Sequence, residues 1–332
     1  LLPAVGANAG TYEYCYQYVF WAVTLGALPT VLNAELAHLV RAEGYSREAS
    51  FGVMLGGVLN IFLDPLFIFG FKMEIAGAAI ATMLSNLCAT LYFVLLIYRK
   101  RRTTVISFHP KYFTLKQRIP FEVIFVGLPS WMMNLMGVSS NIVLNKLIAS
   151  YCNEAVAGIG IAKKVDVLAF AIATGISQGV LPLIGYNYAA RNYQRMRAAI
   201  KVTFLLSLLV AGAGTVFLFT CAGAIVRAFI ADPETVRYGQ LFQRIICITG
   251  PCISVTMIII TIFQSVGKKV QPLVLSLLRK GGLDIPMMIL LNRLTGLNGI
   301  TWATPIADFG AMLIAILLFL PFWKTQKGSV HV

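Results

Sequence analysis

The sequence predicts an all-α membrane protein built as a two-lobe bundle of transmembrane helices, and three observations carry that expectation. Hydrophobic residues fill 58% of the 332 positions and charged residues 12%, more apolar side chain than one soluble core can bury. The apolar residues gather into blocks of about 20–30, the length an α-helix needs to cross roughly 30 Å of hydrocarbon. The third observation is an internal repeat that sets one group of helices against another.

Nine spans follow from the blocks: 12–39, 48–71, 75–98, 119–149, 155–188, 202–226, 237–265, 270–292 and 296–322. Arg41 and Arg47 follow the first span, whereas the loop after the second holds Lys72 with Glu74. After the third come Arg99, Lys100, Arg101, Arg102, Lys111, Lys116 and Arg118, and after the fourth only Asn153 and Glu154. Arg191, Arg195 and Arg197 follow the fifth, and Arg227, Asp232, Glu234 and Arg237 mark the next loop. Lys268 and Lys269 follow the seventh, Arg293 the eighth, and Lys324 and Lys327 the ninth. Every second loop is basic, and cytoplasmic loops hold the excess of Lys and Arg. The expectation is a multi-pass protein of the cytoplasmic (inner) membrane, with its C-terminus in the cytoplasm.

In the repeat, Gly77-Ala78-Ala79-Ile80-Ala81-Thr82 resembles Gly299-Ile300-Thr301-Trp302-Ala303-Thr304. Pro29, Gly44 and Gly77 are spaced 15 and 33 apart, and Pro251, Gly267 and Gly299 are spaced 16 and 32. The expected organisation is a partial N-terminal lobe of three helices at 1–98, a basic cytoplasmic linker at 99–118, and a complete lobe of six helices at 119–332. If the halves are duplicates, three helices are missing from the front of a twelve-span protein; the chain begins with Leu1 rather than Met. Parallel repeats about the membrane normal are a transporter architecture. Small-residue motifs common to all helical membrane proteins are the alternative source of the likeness.

Several function classes find no support. The net charge of +14 lies between apolar blocks rather than in an aromatic-interleaved patch, which argues against nucleic acid. The six cysteines lack metal-ligand spacing, the three histidines are scattered, and no nucleophile elbow or H-E-x-x-H is present. The sequence therefore gives no sign of an enzyme, a metal site or a bound cofactor. Without a G-x-x-x-x-G-K-[ST] loop the chain cannot itself use ATP, which leaves an ion gradient as the common energy source.

Asn60 and Asp64 stand four apart, so on a helix they share one face. A carboxylate within a span marks an ion pathway unless it merely satisfies polar groups at a kink. Pro65 loosens the backbone beside it, and Thr82 in the next span is a plausible neighbouring hydroxyl. With an offset of 222 residues, Asn60 and Asp64 map to Gly282 and Pro286, so the pair is not duplicated; a two-residue gap would bring Asp284 opposite Asn60. Asp284 is thus the matched control, and Asp284→Asn is expected to retain substantial activity.

Further candidates lie in the later spans. Lys163 and Asp166 form an i,i+3 pair, read equally as cavity-facing charge or as helix stabilisation. Arg279 is too deep to snorkel with ease, and Asp308 one span away is its expected partner in a structural or gating ion pair. Met133 and Asn134, with Trp131, Met132 and Met136, suit a promiscuous apolar cavity, or ordinary packing. Gln178 and Asn187 are neutral candidates for substrate or gate contacts.

Four stretches resemble the MATE (multidrug and toxic compound extrusion) family, and its DinF-like branch in particular. They are Arg41-Ala42-Glu43-Gly44, the run Asn60-Ile61-Phe62-Leu63-Asp64-Pro65-Leu66-Phe67-Ile68-Phe69, Gly175-Ile176-Ser177-Gln178-Gly179 leading to Gly185-Tyr186-Asn187-Tyr188, and Pro305-Ile306-Ala307-Asp308. The resemblance implies a MATE-type bundle of twelve helices, nine of them present here. It implies an antiporter that exchanges H⁺ or Na⁺ for cationic or amphipathic small molecules. It also implies a cation site at the positions of Asn60, Asp64 and Thr82, with Tyr18 or Tyr16 from the preceding helix, and an essential first-helix carboxylate that this chain lacks. A monomer in the lipid bilayer is expected, with no nucleic-acid partner. A lipid-linked oligosaccharide flippase of the same fold superfamily is the alternative, and it calls for a more basic cavity than Lys163, Lys164 and Arg279 supply.

Overall fold

The computed structural model describes residues 12–112 and 119–328, so Lys116, Arg118 and His331 lie outside the described residues. The chain divides into two compact units, residues 1–114 and 115–332. The division falls within the basic segment at 99–118. Among the described residues, six helices are long and apolar enough to cross a membrane, or eight if two bent pairs each make one span.

The first unit begins with α1 (Tyr12–Val19), a π-helical turn (Phe20–Leu25) and α2 (Ala27–Ala42), bent by 47° about Gly26. The block expected as one span is therefore a broken one. α3 (Ser46–Pro65) runs into a second π turn (Leu66–Gly70), and α4 (Glu74–Arg99) returns alongside it. The π turn follows from Pro65, whose ring and missing N–H disturb the α-helical ladder. Phe71 N–H then reaches back five residues to the Leu66 carbonyl at 2.9 Å. α4 can lie close to this turn because Gly77 faces it: a Cβ at Gly77 would stand 2.9 Å from the Phe67 carbonyl carbon. Leu36, Ala37, Val40, Ala49, Phe93 and Ile97 form the unit's core. At its end the chain folds back on the α2–α3 turn. Glu43 accepts the Thr104 hydroxyl at 2.6 Å and the Val105 N–H at 2.8 Å. Lys100 pairs with Glu48 at 3.2 Å and lies over the Tyr45 ring.

The second unit contains α5 (Ile119–Ala149), α6 (Asn153–Ala189), α7 (Tyr193–Thr220), the short α8 (Ala222–Phe229), α9 (Pro233–Cys247) and α10 (Gly250–Ser265). α9 and α10 bend by 42°, so the span expected at 237–265 is also broken. Pro251 in the first turn of α10 marks the break, since it cannot donate to a continuing ladder. Asp232 caps α9, accepting the Thr235 hydroxyl at 2.6 Å and its N–H at 2.8 Å. These bonds, the hydroxyl's first, hold the Asp232 carboxyl below the usual carboxylate range. From Val270 to Thr295 the chain is helical without interruption, as α11 (Val270–Leu277), a π turn (Leu278–Asp284) and α12 (Ile285–Thr295). Arg279, Lys280 and Asp284 interrupt its apolar character, which sets it apart from the six unbroken spans. α13 (Leu297–Gly328) closes the unit.

α10 is the central helix of this unit, buried at every residue from Ile253 to Phe263, as its all-round hydrophobicity demands. Ile258, Ile259, Ile262 and Phe263 meet Ile184, Ile200, Leu275 and Phe322 in one cluster. A second cluster joins Ile148, Ile159, Phe242, Met288 and Ile300. Where α6 crosses α9 the approach is set by two glycines: a Cβ on Gly158 would lie 2.8 Å from the Gly239 backbone nitrogen. Small residues let membrane helices approach this closely. Gly158→Ala should therefore cost about 1–3 kcal/mol, the usual penalty of overpacking, and lower the melting temperature in detergent. Gly160→Ala, whose Cβ would meet nothing within 4 Å, should melt like the parent; equal melting of both variants would contradict this packing.

Candidate cation and substrate sites

In the first unit, α3 carries Asn60 and Asp64 on one face, and the Asn60 side-chain amide donates to Asp64 Oδ1 at 3.1 Å. Both are half-buried, and Asp64 stands just before the π-helical stretch that starts at Leu66. Thr82 behaves differently: its hydroxyl donates to the Ala78 carbonyl of its own helix at 2.9 Å. Tyr18 is 42% exposed and Tyr16 stacks on Phe20. Among the described residues no hydrogen bond joins Thr82, Tyr16 or Tyr18 to the Asn60–Asp64 pair. A polar group that sequence reasoning passed over lies nearby in the fold. Asn33 of α2 donates to Asn86 of α4 at 2.9 Å, and Asn86 donates to the Thr82 carbonyl at 2.9 Å. Asn33 Oδ1 is buried without a partner. The available signal was two amides inside apolar blocks.

The second unit holds a cavity of about 330 Å³ between α5, α6 and the π turn at Leu278–Asp284. Met133, Asn134 and Ser140 line it from α5, Lys163, Asp166 and Phe170 from α6, and Arg279 and Lys280 from the π turn. A π turn is wider than an α-turn, which lets the adjacent Arg279 and Lys280 reach the same space. Gly281 completes the fit, since a Cβ there would lie 2.6 Å from Met136 Sδ.

Arg279 Nε donates to Asp308 Oδ1 at 2.7 Å, with the side chains 3% and 2% exposed. Lys280 pairs with Asp284 Oδ2 at 3.2 Å, and the Ser140 hydroxyl donates to that oxygen at 2.7 Å. Asp308 Oδ2 and Asp284 Oδ1 remain buried without hydrogen-bond partners. Lys163 and Asp166 both face the cavity, and among the described residues neither makes an ion pair within 4 Å. Of the two readings left open for them, the i,i+3 bridge does not form and both side chains line the cavity. Lys280, Asp284 and Ser140 escaped the sequence reading as a group. The i,i+4 spacing of Lys280 and Asp284 was a signal, but Ser140 lies 144 residues away.

Gln178 lies apart from this cavity, beside a small void of about 40 Å³ that it shares with Ser130, Thr174, Gln264 and Met133. Asn187 is buried and donates to the Leu183 carbonyl of its own helix. No group of three or more His, Cys, Asp or Glu side chains suited to a metal occurs among the described residues.

An all-helical bundle of apolar spans with charged side chains buried inside it has the make-up of a membrane transporter. The comparisons agree on which kind. The sequence model described as MatE matches residues 129–290. The chain is 29% identical to the multidrug export protein MepA of Staphylococcus saprophyticus over 318 residues, covering 95% of this chain and 69% of that protein. MepA of Staphylococcus aureus gives the same identity and coverage. Among solved structures, an outward-facing multidrug resistance MATE family transporter aligns with a TM-score of 0.89 at 22% identity, covering 98% of this chain and 73% of the other. The Vibrio cholerae MATE transporter VcmN in its bent form gives 0.84 at 20% identity, covering 99% and 74%. The chain thus shares its fold with MATE transporters and is similar in sequence, over nearly its whole length, to multidrug export proteins of that kind.

Proposed function

We propose that the chain is part of a cation-coupled antiporter, in which entry of H⁺ or Na⁺ drives export of cationic or amphipathic compounds across the cytoplasmic membrane. The observation that carries this reading is the Asn60–Asp64 pair, a carboxylate held by a neutral amide within an apolar helix and followed by a π turn. Such a carboxylate is costly in a span unless it exchanges a proton or holds a cation. A coupling ion drives transport only through different affinity for the two conformations, which a titratable or ligating carboxylate provides. Asn60 and Asp64 form the centre of this cation site, with Thr82 and Tyr18 joining it in a conformation other than the one described. No further cofactor is required.

The flippase alternative is disfavoured by charge. The second unit's cluster sets Lys163, Arg279 and Lys280 against Asp166, Asp284 and Asp308, three of each sign, and offers no net basic surface to a pyrophosphate. The transporter is a monomer with its C-terminus and residues 99–118 in the cytoplasm. In a cysteine-free background, Asn153→Cys should react with an impermeant thiol reagent from outside and Val105→Cys should not; the reverse pattern would overturn the orientation.

Transport is tested in everted vesicles from cells expressing the protein from its own gene. A fluorescent amphipathic cation should accumulate under an imposed pH or sodium gradient and stop when nigericin or monensin collapses the driving gradient. Accumulation that survives collapse of both gradients would exclude ion coupling.

A further inference from the structure

The charges around the second unit's cavity are not equivalent. Arg279 is matched by Asp308 at 2.7 Å, and Lys280 by Asp284 at 3.2 Å. Two charged side chains on the cavity wall remain, Lys163 and Asp166, about one turn apart on α6 and without an ion-pair partner within 4 Å among the described residues. The wall thus presents one ammonium and one carboxylate to the same space. Met133 and Phe170 give that space an apolar side, and its volume of about 330 Å³ lies at the small end of the range for small-molecule sites.

We propose that this cavity binds small amphipathic zwitterions, with Asp166 receiving the compound's ammonium, Lys163 its carboxylate, and Phe170 with Met133 its apolar ring. A simple cation at Asp166 would leave Lys163 unmatched in a desolvated space, and a simple anion would leave Asp166 unmatched. A zwitterion satisfies both, and unmatched buried charge is what such sites discriminate against. Arg279 and Lys280 each already have a carboxylate to balance their charge, whereas Lys163 has none, so Lys163 is the selective group. The assignment rests on the export reading only for the occupant's role as cargo. Binding is measured without a gradient, so its failure is distinct from failure of ion coupling.

The test uses purified protein in detergent and three probes: 1-naphthylalanine, its methyl ester, which lacks the carboxylate, and its N-acetyl derivative, which lacks the ammonium. The unaltered protein should bind the amino acid about tenfold more tightly than either derivative, the scale of one charge-assisted contact. Lys163→Gln should abolish the preference for the acid over the ester, and Lys163→Arg should restore it. Asp166→Asn should weaken the ester while leaving the N-acetyl compound unchanged. Lys164→Gln, at an exposed position on the same helix, should behave as the parent. Equal binding of acid and ester by the unaltered protein would overturn the proposal, a result that needs no variant to fold. So would a Lys163→Gln protein that keeps the parent's preference.

Discussion

Arg279→Met is expected to destabilise the protein by about 3–5 kcal/mol, because it removes one partner of a buried ion pair and leaves the other charge bare. Asp308 is 2% exposed, its Oδ1 has the Arg279 guanidinium as partner, and its Oδ2 has none. Loss of Arg279 would leave this buried carboxylate without a hydrogen-bond partner at either oxygen among the described residues. The double variant Arg279→Met with Asp308→Leu should recover most of the loss, since an apolar pair of similar volume avoids the desolvation cost of both charges. Chemical denaturation in detergent reads both effects. If the single variant is as stable as the parent, or the double variant no better than the single, the pair is not the structural tie described.

The second large effect is functional. Asp64→Asn should reduce gradient-driven export to the background of membranes lacking the protein, while leaving it inserted and folded. Asparagine keeps the shape and some hydrogen bonding but can neither exchange a proton nor hold a cation's charge. Asn60→Ala removes the 3.1 Å bond to Asp64 and should weaken coupling only several-fold, in line with about 1 kcal/mol for one hydrogen bond. Thr82→Ala should have a similar or smaller effect. Asp284, the control suggested by the repeat, is unsuited to that role, being 1% exposed and bonded to Lys280 and Ser140. Glu234→Gln is the better control, because its ion pair with Arg237 is exposed and contributes little.

Span lengths were legible in the sequence because the bilayer fixes them, and the breaks within spans were legible in part. Pro65 was read as loosening its helix, and a π turn follows it; Pro251, used only as a landmark of the repeat, carried the same signal for the bend through the hydrogen bond it cannot make. The bend at Gly26 had no comparable signal. Arg279 and Asp308 were matched from sequence because a deep cation needs an anion and an adjacent span offered one. Ser140 could not be assigned to Asp284 in this way, since helix packing and not spacing brings them together. Lys163 and Asp166 had bridging distance in sequence, yet their side chains turn to the cavity instead. Thr82 illustrates the competing local rule: in an apolar span a threonine hydroxyl finds the carbonyl four residues back, here that of Ala78.

If Asp64 holds the coupling ion, binding of cargo must displace that ion. Ion release on cargo binding tests it most directly, in purified protein held in weakly buffered detergent solution or preloaded with radioactive sodium. Addition of an amphipathic cation should release protons or sodium from the unaltered protein and neither from Asp64→Asn, although the variant still binds the compound. Equal release from both proteins would contradict the account and leave Asp64 a structural residue.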